Sequence, residues 1–436
     1  MTNTPSLKLS VLLCAVTASQ LAASLGMQWF AIASLGAGIQ TDALLAGMTL
    51  PLLCITLGVE SLTFVLTPML AIQPDSKRCN YVWQLIATAG LLSFAAAIIL
   101  GLAAPLFVPL IVPGFNGEAR ALTILLTRVQ LGTILGSAWY AILAGLCQAR
   151  GQFLRPPIAA LACLLIAWMM LGWRLHTDGV VFAAWMQVAV YVGPALVLLP
   201  SAGRPTFADG WRGELPELWI RLRPVLAAAT YCRSGFVVDR YLASFAGPGS
   251  LAILDLGQRV HGAAVRVMNE TLVTPQVSTL ARFAATKQWE ALQTMYRRQR
   301  WRVTIAAGAL TSVIVVIATS GQPWLSLLAS SPQTVDTIRR LLPVLGCLSG
   351  IAATASLSHS LTTAFYAIGD THTPSRVGAA MYTVGLAAKI AGAIGGGLQG
   401  IALAITATHV CNWLALEYAW ARGLAGPLPR PSAATT

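Results

Sequence analysis

RLRPVLAAATYCRSGFVVDRYLASFAGPGSLAILDLGQRVHGAAVRVMNE, residues 221–270, decides how the rest of the chain is read. Two apolar runs flank the tight Gly247-Pro248-Gly249 turn, and each is long enough for a helix that crosses a bilayer. Both carry charges that a lipid-facing helix would lack. On the second, Asp255, Arg259, Arg266 and Glu270 fall, at about 100° per residue, within an arc of roughly 60°. On the first, Arg233 and Arg240 share a face, with Asp239 beside Arg240. Ionisable residues inside a membrane are costly and point into a bundle interior or a wet cavity. The stretch therefore predicts a buried cationic pocket built by two neighbouring helices.

The composition agrees. Of 436 residues 56% are hydrophobic and 10% charged, and the mean hydropathy is +0.70. Apolar runs of about 20 residues recur along the chain, which excludes a soluble domain and predicts an all-α polytopic membrane protein. The alternation of a transmembrane barrel is absent. Spans are predicted at 9–35, 42–71, 82–110, 121–148, 156–173, 179–200, 224–246, 250–279, 303–320, 337–368, 376–396 and 400–420. The apolar run after Lys8 imitates a secretion signal but continues to Leu35, too far for one, so it is read as the first span. The eight cysteines are scattered with no metal-ligand or disulfide pattern and read as packing residues.

The net charge of +13 is mostly topology. Lys77, Arg78, Arg150, Arg155, Arg204, Arg212, Arg282, Lys287, Arg297, Arg298 and Arg302 all fall on one side of the predicted spans. The positive-inside rule puts that side, and both termini, in the cytoplasm. Contact with anionic lipid explains the charge, and nucleic acid is not a partner. Residues 280–302, basic and amphipathic with Trp289 and Trp301, read as an interfacial helix.

The polar segment 201–223 divides the spans six and six, giving an amino-terminal lobe at 1–205 and a carboxy-terminal lobe at 206–436. The halves echo each other. LAGLCQARGQFLRPPIAA (143–160) and TTAFYAIGDTHTPSRVGA (362–379) each end a span in small residues, then place Gly151 before Pro156 and Gly369 before Pro374. A weaker echo pairs Gly36-Ala37-Gly38 with Gly247-Pro248-Gly249. Such repeats are typical of transporters whose two bundles rock about a central site.

At this point five segments resemble a family: LGAGIQTDALLAGMTLPLL (35–53), VPGFNGEARALTILLTRVQL (112–131), ILAGLCQARGQFLRPPIAALA (142–162), VDRYLASFAGPGSLAILDLGQRV (238–260) and TTAFYAIGDTHTPSRVGAA (362–380). In order and spacing they look like the MurJ/MviN lipid II flippases of the multidrug/oligosaccharidyl-lipid/polysaccharide exporter superfamily. The resemblance implies two six-helix lobes in a V and alternating access to a central cavity. The chain departs from the family at the first helix, where Met27-Gln28 stands in place of an Arg-Asp pair. It departs again at Leu53-Cys54-Ile55 on the second, and at Gln258 and Gly262 around the matching Arg259. The family usually adds two helices beyond the twelve predicted here.

Arginines suit a diphosphate because the forked guanidinium binds oxygens bidentately and keeps its charge. Arg233, Arg240, Arg259 and Arg266 are therefore the candidate anion ligands. Asp239, Asp255 and Glu270 either neutralise them structurally or balance the pocket; Asp255–Arg259 and Arg266–Glu270 have the spacing for helical ion pairs. Arg128 is either a second anion contact or a side chain that snorkels to the outer interface. Gln20 and Gln28 share a face of the first helix and either line the cavity for sugars or glue helices together. Glu60, alone within span two, is a coupling carboxylate or a structural partner of an arginine. His261, His359 and His409 are isolated and read as packing residues. No P-loop, metal-ligand spacing or hydrolase motif is present, so no cofactor, metal or covalent catalysis is expected.

The expected function is a flippase for a polyprenyl-diphosphate-linked saccharide, lipid II-like or an exopolysaccharide precursor, in the bacterial cytoplasmic membrane. Membrane lipids and proteins of envelope synthesis are the expected partners. The alternatives are a non-transporting scaffold of an envelope complex, a small-cation multidrug antiporter, and a polymerase acting on lipid-linked sugars. The arginines argue against the antiporter, and short outer loops argue against the polymerase.

Overall fold

A computed structural model describes residues 7–72, 75–203, 219, 234–321 and 332–425. Every regular element among these residues is helical. The first half runs α1 (Leu7–Leu35), α2 (Ile39–Gly47), α3 (Thr49–Ile72), α4 (Asp75–Ile111), α5 (Gly117–Gln130), α6 (Gly132–Ala149) and α7 (Arg155–Leu198). After a 3-10 turn at Leu199–Ala202 come α8 (Gly235–Ala243), α9 (Ser250–Met268), a π turn at Asn269–Val273 and α10 (Thr274–Ala285). Then follow α11 (Trp289–Ser320), α12 (Pro332–Cys347), α13 (Ser349–Ala367) and α14 (His372–Ala425).

The predicted spans fall on these helices, the seventh only from residue 234 onward. Two pairs of spans run together. Spans five and six form α7, broken at Gly179 (φ 68°, ψ −161°). Spans eleven and twelve form α14, broken at Gly396 and Gly397. Among the described residues, eight stretches are long and apolar enough to cross a membrane, and nine if the bent pair α12–α13 counts as one. α9 fails that test because Asp255, Arg259 and Arg266 interrupt its apolar run, the feature that marked it in the sequence.

The internal repeat has a physical counterpart. Gly151 and Gly369 both take left-handed φ, 74° and 83°, and end their helices in the same way. Gln152 N donates to Cys147 O at 2.8 Å and Gly151 N to Gln148 O at 2.9 Å; Asp370 N donates to Phe365 O and Gly369 N to Tyr366 O, both at 3.0 Å. This is the Schellman closure, which uses glycine because a Cβ disfavours that φ. Spans four and ten also break at matching places, Leu131 and Leu348.

By its contacts the chain divides into two compact units, Met1–Leu256 and Gly257–Thr436. α8 and the first turns of α9 thus belong with the first unit, held there by contacts described below. Among the described residues of the first unit, two cores stand out. Leu66, Leu70, Val82, Leu85, Ile142, Leu143 and Leu146 join α3, α4 and α6; Ala23, Met27, Leu126, Leu171, Ala183 and Ala184 join α1, α5 and α7. In the second unit Leu292, Tyr296, Leu361, Phe365, Leu416 and Trp420 knit α11, α13 and α14, with the Phe365 and Trp420 rings edge to face at 5.0 Å.

Candidate functional site

The site forms in the first unit, where α1, α3, α8 and α9 meet. Arg240, on α8, is buried (4% exposed). One terminal nitrogen donates to Thr49 Oγ1 at 2.8 Å and the other to Asp255 Oδ1 at 3.1 Å. The second oxygen of Asp255 accepts from Gln28 Nε2 at 2.8 Å. Arg240 also lies over the Phe236 ring, 5.5 Å from its centroid, a cation–π contact. A carboxylate, a hydroxyl and a ring face thus all hold the guanidinium. Asp239, adjacent on α8, is buried as well and has its own partner.

Gln28 is the residue that stands where the family resemblance places charge. Here it is a neutral donor that completes the carboxylate of Asp255. At this position the chain thus uses an amide, not a charge, against the second oxygen of Asp255. That hydrogen bond lowers the cost of burying the Arg240–Asp255 pair.

Other predicted residues lie elsewhere. Arg259 is half-buried on α9 and is engaged. Arg266 pairs with Glu270 at 3.0 Å, both side chains substantially exposed at 57% and 35%, so these two neutralise each other. Gln20 donates to the carbonyl of Pro157 at 2.6 Å, tying α1 to α7. Arg128 is exposed on α5 and donates from Nε to Gly101 O at 3.1 Å. Arg233 lies outside the described residues, as does the side chain of Glu60.

Two residues that sequence reasoning did not single out matter here. Thr49 is fully buried at the break between α2 and α3. Asp42 is 2% exposed, and its carboxylate accepts from Gly249 N at 2.6 Å and Ala252 N at 2.8 Å. The available signal was that Asp42 is the first acidic residue of the chain, four past the Gly38 turn. Close backbone approaches surround it: a Cβ on Gly249 would strike Ala37 O, and one on Gly114 would strike Ser244 O. Gly114 N donates to Ser244 Oγ at 3.2 Å. A cavity of about 110 Å³ opens among these turns, lined by Asp42, Phe115, Asn116, Ser244 and Pro248.

Known proteins match the chain in family and in fold. The family described as "Lipid II flippase MurJ" matches residues 32–430. A curated relative, "Probable lipid II flippase MurJ" from Synechocystis sp., is 22% identical over 64% of this chain, and the chain spans 55% of that relative's length. Among solved structures, a lipid II flippase MurJ in an inward closed conformation superposes with a TM-score of 0.76 at 15% identity, covering 94% of this chain and 87% of that one. An inward-facing multidrug MATE family transporter superposes with the same score at 16% identity, covering 96% of each. At these identities the structures speak for the fold alone, which the two transporter types share. The family match is the discriminating result: the chain is a multi-pass membrane protein that belongs to the lipid II flippase MurJ family.

Proposed function

We propose that the chain is a transporter that carries a polyprenyl-diphosphate-linked saccharide across the bacterial cytoplasmic membrane by alternating access, with both termini in the cytoplasm. Beyond family membership, the supporting observation is the Arg240–Asp255–Gln28 network. It holds a permanent cation inside the membrane region with the Asp255 carboxylate as a counter-ion. A diphosphate competes with that carboxylate for the same guanidinium fork. Cargo binding then frees Asp255 and Gln28 and favours whichever conformation leaves Arg240 accessible, since a ligand shifts conformations only by its differential affinity. In this reading the halves 1–205 and 206–436 are the moving bodies, Arg259 is the second anion ligand, and Glu60 couples an ion gradient. The cargo is lipid II or an exopolysaccharide precursor of the same chemistry.

The test is a flipping assay in proteoliposomes with fluorescent lipid-linked saccharides of both kinds, read by chemical quenching of the outer leaflet. Loss of flipping in Arg240→Ala, with partial activity in Asp255→Asn, is expected. Full activity in Arg240→Ala would remove this assignment.

A further inference from the structure

Arg128 sits where a charge needs a reason. A helix closes when each N–H donates to the carbonyl four residues earlier, and proline has no N–H. Pro105, inside α4, therefore leaves the carbonyl of Gly101 without its helical donor. Arg128 supplies one: its Nε donates to Gly101 O at 3.1 Å. A Cβ at Gly101 would lie at ordinary contact distance from Leu131 Cδ1, 3.6 Å, and Arg128 Cγ, 4.0 Å, so Arg128 packs directly on this turn of α4.

The depth of this contact can be measured along two helices. The exposed apolar side chains of α4 run from Leu91 and Leu92 through Ile99 and Leu102 to Leu106 and Leu110. At about 1.5 Å per residue that stripe is about 29 Å long, the thickness of a hydrocarbon core. Gly101 is at its centre. On the other side, Gly132, next to Leu131, would bring a Cβ within 3.3 Å of Val188, midway along the limb of α7 between Gly179 and Leu198. The α4 stripe places the Gly101 carbonyl, and the guanidinium that donates to it, near mid-depth; the α7 limb places Gly132 there, with Arg128 one turn, about 6 Å, nearer the outer end of α5.

Arg128 is exposed there, and neither terminal nitrogen has an acceptor or a carboxylate among the described residues. A hydroxyl or an amide would satisfy Gly101 equally well. An arginine adds a full charge, which at this depth calls for an anion or water. Resident phosphates lie outside the hydrocarbon core, about 15 Å or more from its centre, while Nε is pinned to Gly101. A lipid whose headgroup is crossing brings a phosphate to this level.

We propose that Arg128 is a mid-membrane phosphate site for a crossing lipid headgroup, its Nε held by the carbonyl that Pro105 orphans and its terminal nitrogens offered as a fork. The site rests on the flippase reading above and adds to it a waypoint on the α4–α5 face, apart from Arg240.

Pro105→Ala separates this role from simple capping, because it returns a helical donor to Gly101. Full-length P105A, P105A/R128Q and P105A/R240A proteins in lipid nanodiscs are titrated with farnesyl diphosphate and, separately, with dioleoyl phosphatidic acid, and bound copies are counted by native mass spectrometry. The expected result is one bound farnesyl diphosphate fewer in P105A/R128Q than in P105A, at equal melting temperature, with that copy retained in P105A/R240A. Equal binding in P105A and P105A/R128Q, or no binding to P105A, overturns the site and leaves Arg128 as the donor for Gly101. If that happens while P105A/R240A loses a copy, the flippase reading survives without it. Dependence of phosphatidic acid alone on Arg128 keeps a phosphate site and removes the diphosphate cargo.

Discussion

Asp42 does for α9 what the residue at its amino end cannot. Gly249 precedes the helix and has no side chain, so Asp42 accepts both its N–H, at 2.6 Å, and that of Ala252, at 2.8 Å. In a capping box those two donors are satisfied by two local side chains; here one distant carboxylate serves both and places its charge at the positive end of the helix. Asp42→Ala orphans two buried donors, at about 1–3 kcal/mol each. Asp42→Asn loses about half of that, because one acceptor remains. Thermal unfolding in detergent, with hydrogen exchange at the Gly249 and Ala252 amides, checks both.

Arg240 and Asp255 form a pair whose members are costly to remove singly. Arg240→Ala leaves a carboxylate facing a low-dielectric interior, a loss of about 3–5 kcal/mol. Asp255→Asn costs less, because Asp255 is 14% exposed and the amide keeps an acceptor. The double change to alanine is expected to fall short of the sum of the single changes by about 0.5–3 kcal/mol. A double-mutant cycle from denaturation midpoints reads that coupling.

The exposed Arg266–Glu270 pair gives the contrasting case. With side chains 57% and 35% exposed, such a pair contributes about 1 kcal/mol or less. Glu270→Gln should leave the melting temperature nearly unchanged, and any stability it does cost should shrink with added salt.

Glycines divide by cause. Gly151 and Gly369 need left-handed φ but have no neighbour where a Cβ would go, so alanine at either costs about 1 kcal/mol. Gly114→Ala and Gly249→Ala drive a Cβ into backbone and should cost more, because neither wall can yield without moving its turn. Expression level and melting temperature of the four variants rank them.

Asp370 supplies a pH test outside the spans. Its burial pushes the carboxyl upward, but the Thr373 hydroxyl and N–H, the His372 N–H and the His372 charge outweigh that and hold it below the usual aspartate range. Its Oδ1 accepts from His372 N at 3.1 Å and Thr373 N at 3.0 Å, capping α14. A depressed folded value means the cap is intact above the ordinary aspartate pKa, about 3.9, and is lost as pH falls through the lower folded value. Amide exchange at His372 and Thr373 should rise in that acid window. Asp370→Asn should show no such rise.

The chain's hydropathy determined where the spans fall, and its small residues determined where they end. Both are local properties: about 20 apolar residues satisfy their own backbone only as a helix, and Gly151, Gly179 and Gly369 mark turns whatever surrounds them. The charged stripe on α9 was also legible, because helical period alone sets which residues share a face. Partners were not. The stripe divided by environment, with Asp255 turned to Arg240 and Gln28, and Arg266 turned to Glu270. Gln28 and Asp255 are 227 residues apart, and Asp42 and Gly249 are 207 apart. No periodicity links such pairs. Likewise Arg128 stood out in the sequence as a charge within a span, but only helix packing brings it to the Gly101 carbonyl that Pro105 orphans. Which polar groups meet is fixed by the approach of helices, and that is decided by the whole tertiary arrangement.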